Sequence, residues 1–261
     1  MRLDKFLAVA SVDTRKNIRD FIKAGLVKVN GQVVTEPALI IDENIDIVKF
    51  KDEVIKDLDR VYYMFHKPAG CITARSDKEN KTVLDYFQDI NTKGLFHVGR
   101  LDKDTEGLLL LTNDGDFEHR IMYPDKHVEK TYFFCALGAL DDKKIKSLRE
   151  GVSIGSGEAL TKPAQVEVVF KGNYKEISEE LNLEKFYSVN SKTFNQPVVA
   201  GYLTITEGRK HQVKRMLKAV GCFVIYLKRT SIGGLALDEN LEKGSYRRLK
   251  EEEVNIIFEN V

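Results

Sequence analysis

The sequence predicts an α+β protein in two unequal parts: a small helix-helix-hairpin unit, then a larger unit on a mixed, mainly antiparallel sheet. Three observations carry this. Within the first fifty residues, apolar side chains recur at helical spacing and then flank an Asn-Gly pair. A charged stretch poor in turn residues follows. From Val61 onward strand patterns dominate, with helices interspersed but no regular βαβ rhythm. At 261 residues, 43% apolar and 31% charged, the chain suits one large or two smaller globular domains.

Leu3, Phe6, Leu7 and Ala10 have the spacing of a first helix. Ile18, Phe21 and Ile22 give a second, capped by Thr14 and stopped at Gly25. "LVKVNGQVV" then reads as a hairpin turning at Asn30-Gly31. Arg15, Arg19 and Lys23 fall at four-residue steps and share one face of the second helix. Lys49 to Arg60 reads as a short linker. The larger unit opens with the strand "VYYMFHKPAG", broken at Lys67-Pro68, where Gly70 is free to take a positive φ. A helix is expected at "TVLDYF", strands at "KTYFFCAL" and "AQVEVVF", and a helix near "RKHQVKRMLKAVG". Residues 171–197 are polar and patternless, which predicts a long surface loop.

The N-terminus is charged, and no apolar run approaches the roughly 20 residues that span a bilayer, so neither a signal peptide nor a membrane partner is expected. Cys71, Cys135 and Cys222 are widely spaced in apolar settings, as core cysteines of a reduced, cytoplasmic compartment would be. They offer no zinc pattern, and no metal ligand is assigned. Net charge is only +1, but it is unevenly spread. Between Arg2 and Val34 there are seven Lys/Arg against three Asp, and between Gly208 and Arg229 seven Lys/Arg with no acid. Two local basic faces on a near-neutral chain suit a nucleic-acid binder, because phosphate attraction depends on the field at the contact surface.

The segment "GRLDKDTEGLLLLTNDG" is the densest in chemistry. Asp102, Asp104 and Glu106 are spaced by two and followed at once by glycine, as in the first half of a calcium loop. Such a loop from Asp102 would need a glutamate where Asn113 stands, polar ligands where Leu108 to Leu110 stand, and a helix before it. The leucines fit a buried strand better, with "TNDG" as a turn after it. That leaves Asp102 on a loop leading into a rigid core, as a working carboxylate or as a turn cap. Asp104, Glu106, Asp114 and Asp116 then read as turn and surface residues.

This segment resembles the central motif of the pseudouridine synthases, in the branch that acts on ribosomal RNA. "KPAG" at Lys67 to Gly70, "EKTY" at Glu129 to Tyr132, "LTKPA" at Leu160 to Ala164, "EGRKHQVKRM" at Glu207 to Met216 and "RTSIGGLALDENLEKGSYRRL" near the end extend the resemblance over nearly the whole chain. The last two look most like the small-subunit ribosomal RNA enzymes; a large-subunit enzyme and a catalytically silent assembly factor are the alternatives. The first fifty residues resemble the S-four type RNA-binding domain. The implied organisation is an RNA-binding domain with its linker at 1–58 and a pseudouridine synthase catalytic domain with a central cleft at 59–261. His66 stands where relatives carry asparagine.

The resemblance implies three catalytic residues: Asp102 as the reacting carboxylate, Tyr132 as the ring that packs on the target base, and Lys214 as the cation paired with the aspartate. The chemistry explains why so few suffice. Uridine becomes pseudouridine when N1–C1′ breaks, the uracil turns, and C5 rejoins C1′. The departing uracil spreads charge over its own oxygens, so the second carboxylate of a glycosidase is not needed. One carboxylate acts as nucleophile at C1′ or base at C2′, and the older proposal of attack at C6 also stays open. Burial beside an extruded base would raise its pKa; a cation about 4 Å away, at an effective dielectric near 20, opposes this by roughly 4 kcal/mol. Lysine lacks the bidentate fork of the arginine many relatives have, so a more pH-sensitive pair is expected. Extrusion costs a few kcal/mol, and stacking on an aromatic ring returns about 1–3 kcal/mol. RNA contacts are expected from Arg2, Lys5, Arg15, Arg19 and Lys23 in the small domain, and from Arg100, Arg209, His211, Arg215, Lys228 and Arg229 in the large one. No cofactor is required; the expected partner is ribosomal RNA or an assembling small ribosomal subunit, and the expected state is a monomer.

Overall fold

The computed structural model describes residues 1–10, 12–43, 45–55, 60–123, 126–181 and 196–259. In the N-terminal unit, α1 (Leu3–Val9) and α2 (Arg15–Lys23) bury Leu3, Phe6, Leu7, Ile18 and Ile22 against a sheet ordered β2-β1-β3-β4. Thr14 caps α2 by accepting from the Asn17 amide at 3.3 Å. The hairpin of β1 (Val27–Val29) and β2 (Gln32–Val34) turns at Asn30 and Gly31, both at positive φ, as the sequence predicts.

The expected linker is corrected in its first half. Residues Val48–Phe50 (β3) and Glu53–Val54 (β4) form a second hairpin, with Lys51 and Asp52 at positive φ. The turn lacks the usual Asn-Gly signal; an ion pair from Lys28 to Asp52 at 2.6 Å holds it instead. Residues 56–59 of that linker, and 182–195 of the expected long loop, lie outside the described residues. The start of that loop is ordered, with β9 (Gln165–Asn173) running directly into α5 (Tyr174–Leu181).

The larger unit is one mixed sheet. Its other strands are β5 (Tyr62–Lys67), β6 (Phe96–Val98), β7 (Glu106–Thr112), β8 (Lys130–Leu137), β10 (Pro197–Ile205), β11 (Phe223–Ile232), β12 (Leu235–Ala236) and β13 (Tyr246–Arg248). The order is β13-β5-β7-β11-β8-β10-β9, with β6 on β7 and β12 on β11. Every pairing between these strands is antiparallel except β7 with β11. The parallel contact is short: Lys228 pairs with Glu106, and Arg229 with Gly107. It joins the two halves of the sheet.

The leucine run is the buried strand the sequence predicts. Leu109 and Leu111 face one core and Leu108 and Leu110 the other, which is why the run does not alternate with polar residues. Only α6 (Gln212–Ala219) matches an expected helix here; "TVLDYF" gives a single 3₁₀ turn at Leu84–Tyr86. The expected turn at "TNDG" leads into a helix: Asp114 accepts from the amides of Asp116 and Phe117 and starts α3 (Gly115–Met122). The remaining helices are α4 (Asp142–Glu150) and α7 (Glu251–Ile256). All three cysteines are buried and free, and no described helix is long and apolar enough to cross a membrane.

Candidate active site

Asp102 sits on the loop between β6 and β7, and that loop is fastened from below. Lys67, at the end of β5, is fully buried, with its ammonium donating to the carbonyls of Pro68, Asp102 and Thr105 at 3.0, 3.0 and 2.9 Å. Thr73 donates its hydroxyl to the Leu101 carbonyl at 2.7 Å and accepts from the Leu101 amide at 3.1 Å. The Gly70 amide donates to the Lys103 carbonyl at 2.7 Å, with Gly70 at φ 94 as expected. Together these spend the backbone polarity of the loop internally and leave the Asp102 side chain free to face the cavity.

Sequence reasoning marked Lys67 only as part of a motif and gave it no role. Burial lowers its pKa, and the charges of Cys71, Asp104, Asp102 and Glu106 work against that. Lys67→Met fills the volume but removes three charge-assisted hydrogen bonds. The relief of a desolvated charge offsets part of this, so we expect a loss of about 2–4 kcal/mol, read as a lower urea midpoint. A slope and midpoint equal to wild type would exclude this fastening role.

The loop delivers Asp102 against the first turn of α6. The Lys214 ammonium lies 3.0 Å from Asp102 Oδ2 and also pairs with Asp104. His211 stands before α6 in a left-handed conformation, φ 52, with Nε2 3.4 Å from Asp102 Oδ1. Burial by itself would lower the pKa of Lys214, but its hydrogen bonds to Asp104 and Asp102 prevail and the pKa is raised. The ammonium is therefore held charged through neutral pH. A cation with a raised pKa contributes its stabilisation below the ordinary lysine pKa of 10.5 and loses it only above. We expect the stability difference between wild type and Lys214→Met to stay constant from neutral pH to about pH 10 and to shrink beyond it. A decline already between pH 7 and about 9 in thermal melts would contradict the pairing.

Asp102, Tyr132, Lys214, His211, Lys130 and Arg229 line one cavity of about 580 Å³, ample for a nucleotide. Register explains how remote residues meet. On β11, Arg229 pairs with Gly107 of β7 on one side and with Tyr132 of β8 on the other. Tyr132 points into the cavity with Phe134 in the core behind it, while Thr131 and Phe133 face away. A hollow of about 620 Å³ on that other face, lined by Thr131, Gln165, Tyr202 and Thr204, holds none of these groups.

The residues expected to contact RNA separate into groups. Arg100 and His211 are both exposed and both line the cavity. Arg15, Arg19 and Lys23 are exposed along α2, although Arg19 and Arg2 both pair at 3.0 Å with the buried Asp4. Lys5 bonds to Asp116 of the larger unit. Arg209 is half-buried, donating to the carbonyls of Ala159 and Leu160 and to Glu207, and Arg215 donates to the Ile154 carbonyl and pairs with Glu158. Lys228 points to the opposite face of β11 from Arg229, and Arg229 is only 3% exposed.

Two acids expected at the surface are buried. Glu106 pairs with Lys243 at 2.8 Å and accepts from the Tyr226 hydroxyl at 3.0 Å; Asp114 accepts from the Tyr62 hydroxyl at 2.8 Å. His66 places Nδ1 2.7 Å from the Leu241 carbonyl, and burial lowers its pKa.

A family model described as RNA pseudouridylate synthase matches residues 61–219, and one described as the S4 domain matches residues 1–47. The chain is 38% identical to ribosomal small subunit pseudouridine synthase A of Vibrio cholerae, covering 99% of this chain and 100% of that protein. It is 36% identical to the protein of that name from Haemophilus influenzae, covering 97% and 98%. A crystal structure of a pseudouridylate synthase matches 98% of this chain and 99% of its own, with 34% identity and a TM-score of 0.64.

Proposed function

The chain belongs to the RNA pseudouridylate synthase family, and on that premise we propose that it isomerises a specific uridine of small-subunit ribosomal RNA, with Asp102 as the reacting carboxylate. The observation that carries the reading is the Asp102–Lys214 pair at 3.0 Å, opening into the one cavity that also holds Tyr132. Lys214 keeps Asp102 ionised when an extruded base displaces water from the site. Tyr132 offers its ring to that base, returning part of the unstacking cost. Asp102 then takes C1′ from N1 as a nucleophile, or removes the C2′ proton.

The small-subunit substrate rests on the relatives that carry that name at 36–38% identity over nearly the full length of both chains. We place the boundary between RNA-binding and catalytic domains at residue 58, and give the exposed α2 face of Arg15, Arg19 and Lys23, with Arg100 and His211 on the cavity rim, to RNA phosphates. The partner is ribosomal RNA, free or in an assembling small subunit, met by a monomer in the cytoplasm. The test is chemical mapping of pseudouridine in both ribosomal RNAs with and without the protein. One site lost from small-subunit RNA on deletion, and restored by the purified protein, is the expected result. A site lost only from large-subunit RNA would overturn the substrate.

A further inference from the structure

The floor of the cavity is positive and lacks a counterion. Arg229 donates Nε to the Leu108 carbonyl at 2.8 Å and Nη1 to the Tyr132 hydroxyl at 3.4 Å. Its Nη2 is buried and has no hydrogen-bond partner among the described residues. Lys130 is also buried on the cavity wall, held by the carbonyls of Ile121 and Val128. No carboxylate pairs with either cation among the described residues. Burial, and then the charge of Arg229, push Lys130 down to about 8. A buried donor left unmatched is costly, and a purely structural arginine would be expected to use it. The open position calls for an acceptor that comes and goes.

We propose that Arg229 is a catalytic residue: its Nη2 donates to a ring carbonyl oxygen of the extruded uracil and stabilises the negative charge that arrives there when N1–C1′ breaks. The proposal rests on the reading of Asp102 above. The breaking bond leaves its electron pair on N1, and the pair delocalises to O2 and O4. C1′ is compensated by a bond to an Asp102 oxygen, or by loss of the C2′ proton to it. Rejoining runs in reverse through C5: C5–C1′ forms as the Asp102–C1′ bond breaks or as Asp102 returns the proton to C2′, C5 loses its proton, and N1 takes one up, so no co-reactant is consumed. A donor fixed beforehand where charge develops needs no reorganisation during the step. A backbone phosphate is excluded as the acceptor by depth, since Arg229 lies at the floor while the exposed cations Arg100 and Lys210 stand at the rim.

The test compares leaving groups. Arg229→Met should lower the single-turnover rate on a uridine target about 10²–10³-fold while RNA affinity stays within about threefold. With 5-fluorouridine at the target, whose ring departs more readily as an anion but whose C5 has no proton to lose, the rate is read as consumption of the target nucleoside, and the loss should be at least about tenfold smaller. No loss, or an equal loss on both targets, overturns the proposal. If Arg229→Met fails to fold by thermal melt, Arg229→Lys and the wild type decide. With sulfur in place of O2 or O4, the ring leaves more easily but accepts hydrogen bonds poorly. Slower reaction at one position supports the contact, and unchanged or faster reaction at both removes it. A wild type that makes no pseudouridine, or an Asp102→Asn variant that does, overturns the reading beneath; an active wild type matched by Arg229→Met overturns only the role of Arg229.

Discussion

Asp102→Asn should abolish pseudouridine formation, by at least about 10⁴-fold in single turnover, with RNA affinity within about threefold of wild type. Asparagine keeps the shape and can still accept from Lys214, so the loop held by Lys67 and Thr73 has no reason to move. What is lost is the negative oxygen that attacks C1′ or takes the C2′ proton. Stability should change by less than about 1 kcal/mol, because Asp104 remains to pair with Lys214 and one like-charge contact beside it is relieved. Chemical mapping and filter binding on the same preparation separate the two quantities. Appreciable product from the variant would sink the mechanism, whatever its affinity.

Gly107→Ala should be the most damaging conservative change in the sheet. Gly107 has φ +104, and a Cβ built there would lie 2.2 Å from the Arg229 carbonyl oxygen and 2.7 Å from the Arg229 amide nitrogen. Both are backbone atoms of the neighbouring strand, so no side-chain rotation makes room. The strain falls on the two-residue parallel contact that joins the halves of the sheet. It also falls on the stretch of β11 that fixes Arg229 against Tyr132. We expect a loss of about 3–5 kcal/mol, and in any folded fraction a turnover defect of about 10²-fold from an ångström of misplacement. A soluble Gly107→Ala protein with the wild-type urea midpoint would refute the close approach.

That glycine marks where reading from sequence stopped. Following Glu106, it suggested the glycine of a calcium loop; the structure uses it to let β11 pass. A strand, β6, precedes the loop where a calcium site would need a helix, and β7 begins at Glu106, buried in an ion pair with Lys243. Local pattern carried what depends on local pattern: α1, α2 with its Thr14 cap, the Asn30-Gly31 hairpin and the buried leucine strand. It failed where a tertiary contact replaced the local signal, as in the Lys51-Asp52 turn held by Lys28.

By itself the sequence determined the class of the fold, because hydrophobic period is a property of the chain in order, and the family resemblance of its motifs singled out Asp102, Tyr132 and Lys214. Only the tertiary structure decided which cations are free to meet RNA and which are spent. Arg209 and Arg215 differ from Arg15 not in residue type but in what stands beside them, and those partners come from elsewhere in the fold. The same holds for Arg229. In sequence it neighbours Lys228 in a basic run; the pleat of β11 turns one outward and the other to the cavity floor, where a charge out of water must find an acceptor.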